Sequence, residues 1–264
     1  MQLPLINPTL INIGPFAIRW YSLAYIFGIV LAWFLIKYFN RKEKVFEEKN
    51  FSDDFFMYSV ISIILGGRIG YVLFYNFNYY SSHILEVFKV WNGGMSFHGG
   101  FIGAIIGIYF LCKKYKISYF ALSDIIAIST PIGLFLGRLA NFINLELYGR
   151  ITTSKFGIVF PNAGSLPRYP SQLFEAFLEG IILFLLLFLL GNFTNIRKHK
   201  GCLSGIFVTG YGISRFIVEF FREPDMQIGY ILNYFTMGQL LSTPLIILGL
   251  IIILFSLKGN SINK

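Results

Sequence analysis

Residues 171–190 read SQLFEAFLEGIILFLLLFLL, and from Ile181 onward every residue is Ile, Leu or Phe. A run of this length approaches the ~20 residues that an α-helix needs to cross about 30 Å of hydrocarbon. Lipid offers backbone N–H and C=O groups no water partner, so a spanning run this long predicts a helix. Comparable runs lie on both sides of it, at Ile18–Ile36, Phe55–Phe74, Met95–Cys112, Tyr119–Leu139, Leu203–Phe221 and Tyr234–Leu257. The third is short and the seventh carries Pro244, which softens their boundaries. Across 264 residues, 55% are hydrophobic and 13% charged, against about 25% charged in soluble domains. The fold class expected is an all-α integral membrane protein, a bundle of seven transmembrane helices forming one domain over residues 1–264. The first fifteen residues hold no Lys or Arg, so a cleaved signal peptide is not expected.

The cations predict orientation. Connections after the first, third, fifth and seventh runs hold Lys37, Arg41, Lys42, Lys44, Lys49, Lys113, Lys114, Lys116, Arg197, Lys198, Lys200, Lys258 and Lys264. The other face holds Lys89, Arg150, Lys155, Arg168 and Arg222. Cytoplasmic loops carry the Lys and Arg excess, which puts the amino terminus outside and the carboxyl terminus in the cytoplasm. The net charge of +9 then reflects topology, with some attraction to anionic membrane lipids, and nucleic acid is not an expected partner.

Arg19, Arg68, Arg138 and Arg215 lie inside the runs or at their ends. An Arg at a helix centre costs about 2.5–3.5 kcal/mol on insertion scales, so such residues are rare without a role. On the sequence map all four fall in the outer half of the membrane, together with His98 and Glu175. In the sixth run Tyr211, Arg215, Glu219 and Arg222 follow one helical face. One reading is a buried ion pair that fixes packing; the other is a cavity for an anion, since Arg222 has only Glu219 and Glu223 nearby in sequence. After the fourth run, Arg138, Asn141 and Asn144 recur every third residue, followed by Glu146 and Gly149. Asn donates and accepts while Glu accepts only, a set suited to a phosphate with a hydroxylated substituent, or to a polar helix cap. A third cluster, Gly93-Gly94-Met95-Ser96-Phe97-His98-Gly99-Gly100, continues as Gly103 and Gly107, a small-residue stripe typical of close helix packing. His98 could accept a proton near neutral pH.

These clusters resemble the prolipoprotein diacylglyceryl transferase family. The resemblance runs from Arg19-Trp20-Tyr21 through Gly66-Gly67-Arg68-Ile69-Gly70-Tyr71, Phe97-His98-Gly99-Gly100 and the long Arg138–Gly149 signature. It continues through Arg168-Tyr169-Pro170-Ser171-Gln172-Leu173-Phe174-Glu175 and the sixth-run face, covering essentially the whole chain. Where the family commonly has His, this chain has Tyr169; Ala140 and Leu145 stand for Gly, and Phe174 for Tyr. The first departure weakens any mechanism that needs a second outer-face His.

The resemblance implies transfer of the diacylglyceryl group of phosphatidylglycerol to the thiol of the lipobox cysteine in a prolipoprotein signal peptide, in the bacterial cytoplasmic (inner) membrane, with the active site facing the periplasm. Arg138 and Arg215 are expected on the phosphate, His98 or Glu219 as proton acceptor. Tyr21, Asn141, Asn144 and Glu146 are expected to orient the headgroup, with Arg68, Gly99, Gly149, Glu175, Tyr211 and Arg222 completing the binding set. No cofactor or metal is expected, because the three His and two Cys are dispersed. Cys112 and Cys202 fall at inner-face ends, away from the arginines, where neither a disulfide nor an acyl-enzyme is expected. Two other classes remain. An anion transporter predicts cations through the full depth or two related halves. A serine protease at Gly94-Met95-Ser96 needs a partner His at matching depth on another span, and the sequence offers none.

Overall fold

The computed structural model describes residues 4, 7, 9–13, 16–43, 50–224, 230–231 and 234–259; the side chains of Arg19 and Tyr21, and residues Lys44, Lys49 and Lys264, lie outside the described ones. A short hairpin opens the chain, β1 (Thr9–Ile13) antiparallel to β2 (Phe16–Arg19). It leads directly into α1 (Trp20–Glu43). Ile18 and Arg19, read from sequence as the start of the first helix, therefore belong to a strand. α2 (Phe51–Phe74), the short α3 (Phe77–Ser82) and α4 (Phe97–Tyr115) follow. α5 (Tyr119–Ile143) precedes a long loop, after which α6 (Ser171–Glu175) and α7 (Leu183–Phe193) are joined without a break by a π-helical stretch, Ala176–Ile182. The chain closes with α8 (Cys202–Val218), the hairpin β3 (Tyr230–Ile231) with β4 (Phe235–Thr236), and α9 (Met237–Gly259), which continues through Pro244.

A helix carries most of each of the seven apolar runs, but Phe235 and Thr236, at the start of the seventh, belong to β4, and that helix begins at Met237. Four helices are long and apolar enough to cross a membrane: Phe51–Phe74, Tyr119–Ile143, Ser171–Phe193 and Met237–Lys258. Their outward faces carry exposed Ile61, Leu65, Leu185, Leu189, Leu250 and Leu254. An apolar surface of that extent on helices of spanning length is matched by hydrocarbon rather than by water.

The chain divides into two compact units, Trp33–Leu122, and Met1–Ala32 with Ser123–Lys264. In the first, α2 and α4 meet along the glycine stripe. A Cβ on Gly70 would fall 2.8 Å from Gly99 Cα, and one on Gly66 the same distance from Gly103 Cα. Only hydrogen at these positions permits such backbone approach. In the second unit, α8 packs on α9 through Gly205 and Gly212; a Cβ on Gly205 would lie 2.8 Å from Gly249 O. The buried Asp124 of α5 fixes where α8 begins, its carboxylate accepting from the backbone N–H groups of Gly201 and Ser204 at 2.7 Å each. A carboxylate at that end satisfies amide donors that the helix itself leaves unpaired.

Candidate active site

The helices of the second unit bring three guanidiniums and three carboxylates together. Glu175, at the end of α6, is central. Its Oε2 lies 3.1 Å from Arg138 Nε, its Oε1 pairs with Arg215 Nη1, and the same Oε1 lies 3.5 Å from Arg222 Nη1. Glu219, capping α8, pairs with Arg215 Nη2 one turn back and accepts from Thr236 Oγ1 at 2.7 Å. Glu179 accepts from Arg138 Nε at 3.3 Å and Nη2 at 3.2 Å. The Glu175 and Glu179 side chains are fully buried, whereas those of Arg138, Arg215 and Arg222 keep 13–16% exposure. Tyr211, one turn before Arg215, couples electrostatically to Glu179, Arg138, Arg215 and Glu175.

This arrangement corrects one expectation. The sixth-run face suggested surplus positive charge, but Glu175 and Glu179 balance the arginines. The ion-pair alternative is therefore realised, though in a form that leaves donors over. Arg138 Nη1 and Arg215 Nε donate to no carboxylate among the described residues. A guanidinium fixed on one edge by buried carboxylates presents its other edge in a set direction, the geometry that bidentate anion recognition needs.

The segment after α5 is held by side chains from elsewhere in its unit. Asn144 Nδ2 donates to Glu146 Oε1 at 2.9 Å, Gln172 Nε2 to Glu146 O at 2.6 Å, Ser171 Oγ to Leu147 O at 2.9 Å, and Asn162 Nδ2 to Leu145 O at 2.7 Å. Leu145 and Leu147 both have φ of 58°, the left-handed region. Gly would adopt this conformation without the steric cost that a Cβ adds. Gly149 is squeezed between two strands of chain: its N–H donates to Tyr169 O at 2.8 Å, and a Cβ would fall 2.5 Å from Phe221 O and 2.6 Å from Tyr169 O. Asn141 is buried on α5, one turn beyond Arg138.

The candidates in the Trp33–Leu122 unit behave differently. Arg68 is 3% exposed, and its donors are taken up by backbone carbonyls: Nε by Val87 at 2.8 Å, Nη1 by Gly93 at 2.5 Å and Gly94 at 3.2 Å, and Nη2 by Glu86 at 2.6 Å. It fastens the 84–94 loop. Gly99 is occupied in helix packing against Gly66 and Gly70. His98 is exposed in the first turn of α4, which Ser96 caps by accepting from Gly99 N–H at 3.2 Å; its ring meets Phe97 edge-on. Tyr21 falls within α1, its side chain outside the described residues.

Glu179, Thr236 and Arg150 were not among the residues singled out from sequence. Arg150 donates to Arg222 O at 2.8 Å and Glu219 O at 3.0 Å, closing the carboxyl end of α8 where Glu219 and Arg222 sit. Glu179 had a signal, a second carboxylate inside an apolar run; Thr236 had none, being tied to Glu219 only by the fold. Among the described residues no three His, Cys, Asp or Glu gather as a metal-binding set, and each cluster carboxylate already faces an arginine.

A helical multi-pass membrane protein with a buried arginine–glutamate cluster is the class these features define. The chain belongs to the prolipoprotein diacylglyceryl transferase family, whose model matches residues 8–255. It is 53% identical over 249 residues to the phosphatidylglycerol–prolipoprotein diacylglyceryl transferase of Rickettsia conorii, covering 94% of this chain and 96% of that relative. The proteins of the same name from Rickettsia canadensis, at 54% over 250 residues, and Rickettsia typhi, at 53% over 249, are covered to the same extent.

Proposed function

We propose that this chain transfers the diacylglyceryl group of phosphatidylglycerol to the lipobox cysteine of a prolipoprotein, the first step of lipoprotein maturation. The cysteine sulfur bonds to the glyceryl carbon, the bond from that carbon to the phosphate oxygen breaks, and glycerol phosphate leaves; the thiol proton goes to a base. The observation that carries this reading is the guanidinium cluster on buried carboxylates in a chain that belongs to this family. Negative charge grows on the departing phosphate, and donors fixed beforehand stabilise it without reorganising. Arg138 and Arg215 are assigned to the phosphate, with Arg222 and Tyr211 beside them. Glu175 holds the three guanidiniums, and Asn141, Asn144, Glu146 and Tyr21 orient the headgroup. Gly149 and Gly99 act through close backbone approach, and Arg68 through the loop it fastens.

For the base we take His98 before Glu219. Both Glu219 oxygens already accept charged or hydroxyl donors, from Arg215 and Thr236. His98 is exposed and makes no hydrogen bond among the described residues. Its pairing with the arginines rests on the sequence map of depth. That map also proposes seven spans in the bacterial inner membrane, amino terminus and site outside, carboxyl terminus cytoplasmic. A unique Cys near residue 45 should then label only from the cytoplasmic side, and labelling from outside intact cells would reverse the map.

The test of function is transfer from phosphatidylglycerol to a lipobox peptide in membranes, for the parent and His98→Gln across pH. The parent should form the thioether. The variant should keep lipid binding yet lose roughly 100- to 10,000-fold in turnover. Raising pH toward the free thiol pKa of about 8.5 should restore part of it, since thiolate then forms unaided. Intact turnover in the variant would move the base to Glu219 or solvent, and no transfer by the parent would remove the function.

A further inference from the structure

We propose that Glu179 is the positioning residue for Arg138, setting the guanidinium edge that meets the lipid phosphate; the inference rests on the diacylglyceryl-transfer reading. Three observations carry it. Glu179 has one charged partner by hydrogen bond, Arg138, and gives it a single oxygen, Oε2, to which Nε and Nη2 both donate. Its Oε1 is buried without a hydrogen bond. The other two carboxylates are shared, Glu175 among Arg138, Arg215 and Arg222, and Glu219 between Arg215 and Thr236. Glu179 alone among the three gives its carboxylate to a single side chain.

Its place in the backbone is unusual as well. Glu179 sits within the π-helical stretch Ala176–Ile182, between two α-helical stretches of one continuous helix. Such insertions are uncommon and gather at functional sites, because a wider turn redirects side chains at the cost of regular backbone bonding. The next residue, Gly180, lets α5 come close: a Cβ there would fall 2.6 Å from Phe135 Cβ and 3.0 Å from Phe135 Cα. Phe135 lies three residues before Arg138 on α5, so the same contact that admits α5 brings Arg138 to Glu179. Burial removes solvent competition, and a fully buried carboxylate on one edge of a guanidinium holds it against rotation more firmly than an exposed one.

The experiment is a double-mutant cycle on the full chain in membranes, with Glu179→Gln, Arg138→Lys and both together. Phosphatidylglycerol affinity and transfer to a lipobox peptide are measured, with thermal unfolding as the folding control. Glu179→Gln should fold and transfer roughly 10- to 100-fold more slowly, the scale of a misplaced binding group. Added to Arg138→Lys, it should weaken lipid affinity little further, because the group it positions is already altered. Where Glu179→Gln fails to accumulate, Glu179→Asp takes its place in the cycle, with the same non-multiplying result expected. Parent-like transfer by Glu179→Gln, or losses that multiply in the double variant, would overturn the assignment. Absence of transfer in the parent would instead remove the reading on which it rests.

Discussion

Arg68 and Arg138 look alike in sequence: each is an arginine flanked by apolar residues inside a membrane-length run, and each reads by default as functional. Their surroundings separate them. Arg68 is 3% exposed, with its guanidinium enclosed by the carbonyls of Glu86, Val87, Gly93 and Gly94. Arg138 faces carboxylates on one edge only and keeps an exposed portion. A cation whose every guanidinium nitrogen donates to backbone is a fastener. A cation fixed on one edge by buried counter-charges, with the other edge open, is prepared for a ligand. The contrast assigns roles by which donors remain, rather than by the presence of charge in a span.

The sharpest way to break this contrast is Arg68→Ala. The exposed or orphaned carbonyls of the 84–94 loop should cost roughly 3–5 kcal/mol, since hydrogen bonds to charged groups and unmet buried acceptors each count for more than 1 kcal/mol. Denaturant unfolding and membrane accumulation should register the loss, while transfer per folded molecule falls far less. Transfer lost in a stably folded Arg68→Ala protein would place Arg68 with Arg138. Next in size is Gly149→Ala on the other side of the comparison. With carbonyl oxygens 2.5 and 2.6 Å from the new Cβ, the chain at Tyr169 or Phe221 must move, at about 1–3 kcal/mol by the usual scale of overpacking. Because Gly149 pairs in a bridge with Arg222, transfer should fall along with melting temperature; unchanged transfer would detach this segment from the arginine cluster. The smallest effect belongs to Leu147→Gly. Leu147 has φ of 58° and is 37% exposed, so Gly relieves a left-handed cost of about 1–2 kcal/mol and gives up a comparable amount in side-chain burial. A change in melting temperature of no more than a few degrees is expected, and a large loss would mean that Leu147 packing outweighs its backbone strain.

The helices were legible because hydrocarbon demands length and apolarity from every run, and both are written locally. Ile18 and Arg19 escaped that logic: the short segment Phe16–Arg19 ahead of the first helix satisfies a strand as well as a helix start. The arginines could be found by their rarity, and the Gly66–Gly103 contact by its four-residue spacing. What could not be read was which partners close each charge. Glu219 and Thr236 lie on separate elements, as do Arg138 and Glu179, and no local pattern joins either pair. Glu179 was nonetheless visible as a carboxylate inside residues 171–190. Glu175, four residues earlier in the same run, carries the same local signal, so composition alone does not single out Glu179. The π-helical stretch around it has no sequence signature at all.

The most direct test of the central claim, that Arg138 presents a fixed edge to the lipid phosphate, is the rate of transfer from phosphatidylglycerol to a lipobox peptide by purified Arg138→Lys. The rate is normalised to folded protein and set beside the parent. Lysine keeps the charge but has neither the planar fork nor the edge on which Glu179 and Glu175 act. The variant is expected to insert and accumulate yet transfer on the order of 100-fold more slowly, the size of a lost preorganised donor. Transfer at a rate near the parent's would make Arg138 a structural counter-charge, no different in kind from Arg68.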